Sequence, residues 1–272
     1  MGFVTLNGGH IKADESFVEA LVALKFDTMP GVFSYAGEGY LRTHAKHDNF
    51  HIVKTIGSRA YDLFLKRHEG LEVKESLKFL MARDPFASPG RREWDNIQRL
   101  ESLGIATMPP VAYGEDRGVP LLRRSFLVTR RIPSAVPMDD YMKEHFAVCT
   151  SGAALREKRA LLWDLGGLVR KLHSAGLTHM DLYLNHVFVK GAPGKDKVLH
   201  LIDLQRVARR WIFKRRWIVK DLAAVIYSAR RVPLSTTDLA RVFTAYFDGA
   251  GALKDRSLIR AAIRRAARMM QR

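Results

Sequence analysis

The stretch HMDLYLNHVFV, residues 179–189, holds an aspartate and a histidine five positions apart, just ahead of a β-branched and aromatic run. Asp181 and His186 therefore lie in a loop that leads into a predicted strand. Other charged residues also stand among apolar neighbours, where an unpaired charge costs several kcal/mol. They are Lys66, Glu93 and Asp203. Charges at such positions are candidates for a functional site.

Phosphoryl transfer is the chemistry that this set of residues can perform. Asp181 and Asp203 end neighbouring elements, and two carboxylates there suit a general base and a Mg²⁺ ligand, because Mg²⁺ prefers a few carboxylate oxygens together with water and phosphate. A lysine such as Lys66 suits nucleotide phosphates when a glutamate such as Glu93 holds it in place. The combination predicts a phosphotransferase of the protein-kinase type.

The first half of the chain must position the lysine and the glutamate. The alternation in AYDLFLKR, residues 60–67, predicts a strand that carries Lys66. The segment SPGRREWDNIQRLESLG, residues 88–104, predicts a helix with a Ser-Pro start, a Gly end, and Glu93 on its apolar face. Another strand is predicted at residues 125–131, and the proline-containing IPSAVPMDD that follows is typical of a connector.

The second half is predicted to be mainly helical. Residues 158–176 form an amphipathic pattern that ends at a glycine, and HVFVK and VLHLID predict two short strands around GAPGKDK. Helices are also predicted at KDLAAVIYSAR and at STTDLARVFTAYF, which opens with a capping box. The C-terminal SLIRAAIRRAARMMQR is amphipathic, which suits either an anionic membrane surface or docking on its own domain. Strands followed by helices indicate an α+β fold with lobes at 1–131 and 132–272.

Composition limits the compartment and the partners. The 272 residues include 45 Lys and Arg against 28 Asp and Glu, a formal net charge of +17. Such a surplus indicates an anionic partner: nucleic acid, an anionic membrane face or a phosphorylated substrate. The single cysteine excludes an internal disulfide and a cysteine-rich metal site. No apolar run is long enough to cross a bilayer and no signal-peptide pattern is present, so we expect a cytoplasmic, non-spanning protein.

Specific motifs carry a family resemblance. LHSAGLTHMDLYLNHVFV resembles the catalytic loop of protein kinases: His179 and Asp181 match, Met180 replaces arginine, and His186 stands where asparagine would be. Asp203 in IDLQR takes the place of the metal-binding aspartate that follows a strand in kinases. That histidine, IDLQR and RRWIVKDLAA are similar to the lipopolysaccharide core kinases, the Kdo/heptose kinase family. The likeness extends from about residue 57 to about residue 247.

The resemblance implies a fold, an activity and a location. The expected fold is bilobal and protein-kinase-like, with a strand-rich N-lobe and a helical C-lobe. The expected reaction is ATP-dependent phosphorylation of a sugar hydroxyl, on heptose or Kdo, of the lipopolysaccharide inner core, with Mg²⁺. The expected partners are the core glycolipid and the anionic inner-membrane surface, with peripheral association at its cytoplasmic face and no nucleic acid. The oligomeric state is left open.

The resemblance also implies roles for individual residues. Asp181 would orient or accept the hydroxyl proton, Lys66 and Glu93 would bind the nucleotide, and Asp203 would bind the metal. His186 would either contact metal or phosphate or orient Asp181, since imidazole is a poor Mg²⁺ ligand. Asp221 would tie the catalytic-loop backbone in place, and His173 and His179 would be packing residues.

The chain also departs from the kinase pattern in two places. It lacks a glycine-rich loop before Lys66, and Lys46 in THAKHDN is the candidate to supply charge there instead. It lacks the A-P-E motif after Asp203, and a basic segment follows instead. Its arginines would either grip the acidic acceptor or anchor the loop to the C-terminal lobe. The four arginines are Arg209, Arg210, Arg215 and Arg216.

Two other functions compete with the lipopolysaccharide kinase. A non-catalytic pseudokinase that binds anionic lipid or nucleic acid would explain Met180, His186 and the missing glycine loop. A kinase that acts on another small molecule or on a protein would keep all the catalytic residues. ATP turnover separates the first alternative from both kinases, and substrate testing separates the two kinases.

Overall fold

The computed structural model describes residues 2–37, 40–44, 47–70, 87–116, 124–148, 151–210, 214–249 and 255–271. The chain divides into two compact units. The first comprises Met1–Arg99 and Met108–Ile132, and the second comprises Leu100–Thr107 and Pro133–Arg272. The predicted lobes, 1–131 and 132–272, differ from these units chiefly in residues 100–107, which belong to the second unit.

The first unit is built on a seven-stranded sheet. Its strands are β1 (Phe3–Leu6), β2 (Ile11–Asp14), β3 (Tyr40–His44), β4 (His47–Ile56), β5 (Arg59–Glu69), β7 (Pro110–Glu115) and β8 (Arg124–Arg130). The strand order is β1-β2-β7-β8-β5-β4-β3, and every neighbouring pair is antiparallel. Its helices are α1 (Val18–Ala23), α2 (Met29–Ser34) and most of α3 (Pro89–Ser102).

Strand β5 carries Lys66, as its alternating pattern predicts. Leu63 and Leu65 are fully buried and join a core that includes Phe126 and Val128 from β8. Phe64 and Lys66 alternate with them on the other face and are half-buried. The strand therefore holds Lys66 in a fixed register between β4 and β8, where it pairs with Asn49 and Leu127.

Helix α3 begins and ends where its sequence predicts. The Ser88 hydroxyl accepts the backbone N–H of Arg91 at 3.2 Å, and Gly104 follows the helix with a φ of +66°, which favours glycine. Trp94 and Ile97 are buried, and Trp94 makes an edge contact with Phe3. The buried stripe orients the helix so that Glu93, on the same face, points into the first unit.

The second unit is mainly helical. Its helices are α4 (Met138–Phe146), α5 (Gly152–Ser174), α6 (Lys214–Ala229), α7 (Thr236–Tyr246) and α8 (Arg256–Met270). Its strands are β6 (Ala106–Thr107), β9 (Ala135–Pro137), β10 (Leu177–Thr178), β11 (Val187–Lys190), β12 (Val198–Leu201) and β13 (Ala208–Arg209). The order β6-β12-β11-β9 makes a small sheet, and β10 pairs with β13. The hairpin predicted around GAPGKDK is confirmed as β11 and β12.

Two helices are longer than their sequences predict. Helix α5 begins at Gly152, because Ser151 accepts the backbone N–H of Ala154 and supplies an earlier N-cap than the predicted start at residue 158. Helix α6 begins at Lys214, whereas KDLAAVIYSAR predicted a start at Lys220. The capping box at the start of α7 is confirmed, since Ser235 and Asp238 exchange both hydrogen bonds.

The C-terminal helix docks on its own unit. Helix α8 packs against α6 and buries Leu258, Ala262 and Ala266, while Ile263 and Met270 stay exposed. Docking was one of the two alternatives for this segment, and the small buried residues explain how it approaches α6 closely. None of the helices in the described ranges combines the length and hydropathy needed to cross a bilayer.

Candidate active site

Lys66 and Glu93 form an ion pair inside the first unit. The Lys66 Nζ lies 2.8 Å from Glu93 Oε1. The Glu93 side chain is fully buried, whereas a quarter of the Lys66 side chain remains exposed. A carboxylate with no access to solvent requires a cation beside it. Glu93 therefore fixes the lysine, and the partly exposed lysine is the member of the pair that can meet a ligand. The two residues predicted as a nucleotide-binding pair do lie in contact.

Asp221 holds the loop that contains Asp181. Its carboxylate is fully buried and accepts the backbone N–H groups of His179 and Met180, each at 2.7 Å. His173 lies 3.2 Å from the same carboxylate, and its other ring nitrogen meets the Tyr246 hydroxyl at 3.0 Å. The expected role of Asp221 as an anchor of the catalytic-loop backbone is confirmed by these contacts. Met180 has a φ of +75°, a backbone conformation that such anchoring sustains.

Two histidines connect the Asp181 loop internally. The Nδ1 of His186 donates to the backbone carbonyl of Asp181 at 2.8 Å. The buried His179 donates from Nε2 to the backbone carbonyl of Ile202, the residue before Asp203, at 3.0 Å. Burial lowers the pKa of His179, so its ring is neutral. The loop that carries one predicted aspartate is thus tied to the strand end that carries the other.

Asp181 lies between two cations. Its Oδ2 accepts a hydrogen bond from Arg206 Nη1 at 2.6 Å, and its Oδ1 lies 3.6 Å from the Lys220 Nζ. Arg206 follows β12 in a short helical turn, and Lys220 lies on α6 directly before Asp221. Burial lowers the pKa of Lys220, while the Asp181 carboxylate favours its charged form. The sequence predictions named neither cation as a site residue.

Asp203 ends the strand as predicted and has an unusual backbone. Its φ and ψ are 57° and 59°, in the left-handed region that non-glycine residues seldom occupy. Strain of this kind concentrates at ligand sites. A carboxylate fits a Mg²⁺ that takes its other ligands from phosphate and water. His186 keeps only Nε2 for a ligand, because Nδ1 is bonded to the Asp181 carbonyl, and this contact supports the orienting role for His186.

Comparison with known proteins identifies the family. A sequence profile of the Lipopolysaccharide kinase (Kdo/WaaP) family matches residues 63–246. The chain belongs to this family. It is therefore a kinase, and the resemblance read from HMDLYLNH and IDLQR is confirmed.

Curated relatives are similar over most of their length. Lipopolysaccharide core heptose(I) kinase WaaP of Escherichia coli is 36% identical over 196 residues, which cover 71% of this chain and 72% of that protein. WaaP of Pseudomonas aeruginosa is 33% identical over 195 residues, 71% of each. A solved structure described as WaaP in complex with acyl carrier protein matches with a TM-score of 0.72 and 25% identity, over 99% of both chains. The α+β kinase-like fold is thereby confirmed.

The arginines of the basic segment differ in their surroundings. Arg210 is buried, lies 4.6 Å from the Trp217 ring centroid and contacts the Met180 sulfur at 3.0 Å. Arg215 is exposed but bonds Asp255 at 2.9 Å, joining α6 to α8. These contacts match the anchoring alternative rather than the predicted grip on the acceptor. Arg209 and Arg216 are exposed, and for them acceptor binding stays a prediction.

One predicted residue cannot be placed, and two were missed. Lys46, the candidate to replace the glycine-rich loop, lies outside the described residues. Arg206 and Lys220 were both within motifs used for the family resemblance, IDLQR and RRWIVKDLAA. The available signal was a basic residue close in sequence to an aspartate of each motif: Arg206 follows Asp203 by three positions, and Lys220 directly precedes Asp221. Spacing alone did not show that both side chains would converge on Asp181.

Proposed function

We propose that the chain transfers the γ-phosphoryl group of ATP to a heptose hydroxyl of the lipopolysaccharide inner core. The observation that carries this proposal is Asp181, an accessible carboxylate on an anchored loop between two cations. The relatives named heptose(I) kinase supply the choice of heptose over Kdo. The first heptose of the core is accordingly the proposed acceptor.

The nucleotide phosphates are assigned to Lys66. The Glu93 carboxylate positions the ammonium, and this arrangement suits phosphate oxygens, because a cation fixed in advance loses little freedom when they bind. Asp203 would hold Mg²⁺, which when bound supplies charge neutralisation to the phosphates. His186 supports the site through the Asp181 backbone rather than as the main metal ligand.

The acceptor hydroxyl is assigned to Asp181. The carboxylate is about one-fifth exposed, which leaves room for a hydroxyl group to approach. It orients that hydroxyl toward the phosphorus atom and receives its proton as the new bond forms. Because Asp221 and His186 fix the loop from both sides, the carboxylate is positioned before substrate binds.

An anionic membrane surface is the proposed location of the reaction. The outward face of α8 carries exposed arginines beside the exposed Ile263 and Met270. These arginines are Arg256, Arg260, Arg264 and Arg268. Basic residues at a membrane contribute about 1 kcal/mol each, so the face suits peripheral binding. Co-sedimentation with vesicles containing anionic phospholipid, lost in high salt, supports this location; equal binding to neutral vesicles contradicts it.

A complex with acyl carrier protein is also proposed. The solved WaaP structure that contains this partner matches 99% of the chain, so the fold that accommodates the partner there is present here almost entirely. The expected result is that acyl carrier protein co-purifies with the tagged chain from a Gram-negative host. Purification of a stable, monodisperse chain without it contradicts the proposal.

The function is tested with defined acceptors. Purified chain and ATP are incubated with dephosphorylated core lipopolysaccharide, with a truncated form that ends at Kdo, and with a generic protein substrate. Asp181→Asn provides the inactive control. Transfer to the heptose-containing acceptor alone supports the proposal. Transfer to the Kdo form assigns a different sugar, and transfer to protein alone overturns the acceptor class. No turnover of ATP under any condition would support the pseudokinase alternative.

A further inference from the structure

The two oxygens of the Asp181 carboxylate have different surroundings. Oδ2 accepts a charge-assisted hydrogen bond from Arg206 at 2.6 Å, which uses one of its two lone pairs. Oδ1 has Lys220 beside it at 3.6 Å, a distance that is longer than a normal hydrogen bond. An acceptor hydroxyl is therefore directed to Oδ1. The Arg206 contact fixes the rotation of the carboxylate and so decides which oxygen is presented.

A hydroxyl on Oδ1 would be close to the Lys220 ammonium. Hydroxyl groups hydrogen-bond to carboxylates at about 2.5–2.7 Å. Since Lys220 lies 3.6 Å from the same oxygen, its ammonium can reach the hydroxyl oxygen or a phosphoryl group that arrives on it. The transferring phosphoryl group spreads negative charge over its three outer oxygens, which a nearby cation stabilises.

We propose that Lys220 is a catalytic residue that contacts the phosphoryl group during transfer, and that Arg206 is a positioning residue for Asp181. The inference rests on the proposed function, in which Asp181 receives the acceptor. In the step, the acceptor oxygen forms a bond to the γ-phosphorus while the bond to the β–γ bridging oxygen breaks. The bonding electron pair leaves with ADP, and the hydroxyl proton passes to Asp181. Lys220 stays protonated throughout.

A purely structural role explains Lys220 poorly. Arg206 already pairs with Asp181 at a shorter distance, so Lys220 is a second cation beside the same carboxylate. Within the described part of the chain, Asp181 is the only carboxylate within ion-pair distance of Lys220. Burial penalises the Lys220 ammonium, and Asp221 also favours it while Arg206 opposes it. A cation that stays partly exposed beside a carboxylate already paired with Arg206 is suited to an anionic ligand.

The test compares three variants in one assay. Lys220→Met removes the charge but keeps the length, Lys220→Arg keeps the charge, and Lys190→Met is a control at an exposed lysine of β11. We expect Lys220→Met to lower kcat about 10²-fold or more, with the KM for ATP and the Tm near wild type. Lys220→Arg should recover a large part of that loss, and Lys190→Met should change nothing.

The pH dependence of activity distinguishes a catalytic lysine from a structural one, because replacing a purely structural lysine with arginine would not shift it. Because Lys220 acts in its charged form, activity should fall as the pH rises through its lowered pKa. Arginine stays protonated at higher pH, so the alkaline limb should shift upward in Lys220→Arg. Unchanged kcat in Lys220→Met overturns the proposal. If that variant is unstable, an alkaline limb in Lys220→Arg identical to the wild type overturns it instead.

Failure of the proposed function is separable from failure of this inference. Slow transfer of the phosphoryl group to water is measured in parallel with transfer to the core acceptor. If wild type hydrolyses ATP but does not phosphorylate core lipopolysaccharide, the acceptor assignment fails, and Lys220→Met must still slow hydrolysis for the inference to stand. If wild type phosphorylates the core and Lys220→Met does so equally well, only the inference about Lys220 fails.

Discussion

The ion pair of the first unit and the ion cluster of the second expose their charges differently. In the first, the Glu93 carboxylate is fully buried and Lys66 is the accessible partner. In the second, all three side chains are partly exposed: Asp181, about one-fifth exposed, lies between Arg206 and Lys220, which are slightly more exposed than it is. A ligand can therefore meet only the lysine in the first group, whereas it can meet the carboxylate together with a cation in the second. We propose accordingly that Lys66 acts on an anion and Asp181 on a hydroxyl group.

Asp221 extends the comparison within the second unit. Like Glu93 it is fully buried, but its carboxylate bonds backbone N–H groups rather than a side-chain cation alone. We therefore propose different functions for two aspartates of one unit: Asp181 meets the substrate, whereas Asp221 holds the loop through its backbone bonds. This contrast predicts that their variants separate activity from stability.

The largest expected effect is the loss of activity in Asp181→Asn. Loss of the group that orients the hydroxyl and accepts its proton should lower kcat by about 10²-fold or more. The Tm should change little, because the side chain is partly exposed and the loop stays bonded to Asp221. Asp221→Asn should lose both activity and stability, by about 3 kcal/mol for a broken buried charge network. Thermal melts and turnover assays on both aspartate variants check this prediction. An Asp221→Asn variant that stays stable and active would contradict the anchoring role of Asp221.

A smaller effect is expected at the ion pair of the first unit. Lys66→Met should weaken ATP use about tenfold or more, equivalent to about 1.4 kcal/mol. Glu93→Gln should weaken it less, because Glu93 acts by positioning the lysine. The two changes should be non-additive by about 0.5–3 kcal/mol in a double-mutant cycle on kcat/KM for ATP. Additive effects would show that the two residues act independently.

The arginines of the basic segment sharpen the comparison between anchoring and binding. Arg210→Ala should lower stability by about 1–2 kcal/mol, because it removes a buried cation–π contact with Trp217. A joint Arg209→Ala and Arg216→Ala variant should instead raise the acceptor KM a few-fold and leave the Tm unchanged, with high salt producing a milder rise. Thermal melting and acceptor kinetics are measured on both variants. If both lose stability, or both raise the acceptor KM, to the same extent, the division into anchoring and binding arginines is wrong.

The smallest effect concerns the pH dependence of stability at α7. Burial raises the pKa of Asp238, but the ion pair with Lys158 at 2.8 Å and the bonds from Ser235 outweigh it, so the pKa is lowered. The Asp238 carboxylate therefore stabilises the folded state fully above the aspartate pKa of the unfolded chain, about 3.9. This stabilisation is lost as the pH falls through the lower pKa that Asp238 has in the folded state. Denaturant titrations of wild type and Asp238→Asn should differ at neutral pH and converge in acid. A stability difference between the two proteins that persists unchanged in acid would contradict a lowered pKa of Asp238.

Local patterns predicted the elements of the site well. The β5 alternation, the Ser88 start of α3 and the hairpin after the Asp181 loop are short-range signals, and each is confirmed. The starts of α5 and α6 were predicted too late, because Ser151 as a cap and the charged first turn of α6 carry no apolar periodicity. The start of α5 depends on a capping bond that the spacing of apolar residues does not reveal.

The sequence did not predict which distant residues would contact Asp181. Arg206 and Lys220 are 25 and 39 positions from Asp181 in the sequence, yet both contact its carboxylate. Arg209 ends β13 and is exposed, whereas the adjacent Arg210 is buried against Trp217 and Met180. The motifs of the family resemblance identified the aspartates. The side chains that pair with each charge could be identified only from the three-dimensional structure.

ATP binding by two variants tests the central division of roles most directly. Isothermal titration of ATP into Lys66→Met and Asp181→Asn, each beside the wild type, measures the nucleotide site without the acceptor. We expect Lys66→Met to bind ATP about tenfold or more weakly, which is about 1.4 kcal/mol. Asp181→Asn should bind ATP as the wild type does, although its phosphate transfer to core lipopolysaccharide falls about 10²-fold or more. Equal loss of ATP affinity in both variants, or normal affinity in Lys66→Met, would contradict this division of roles.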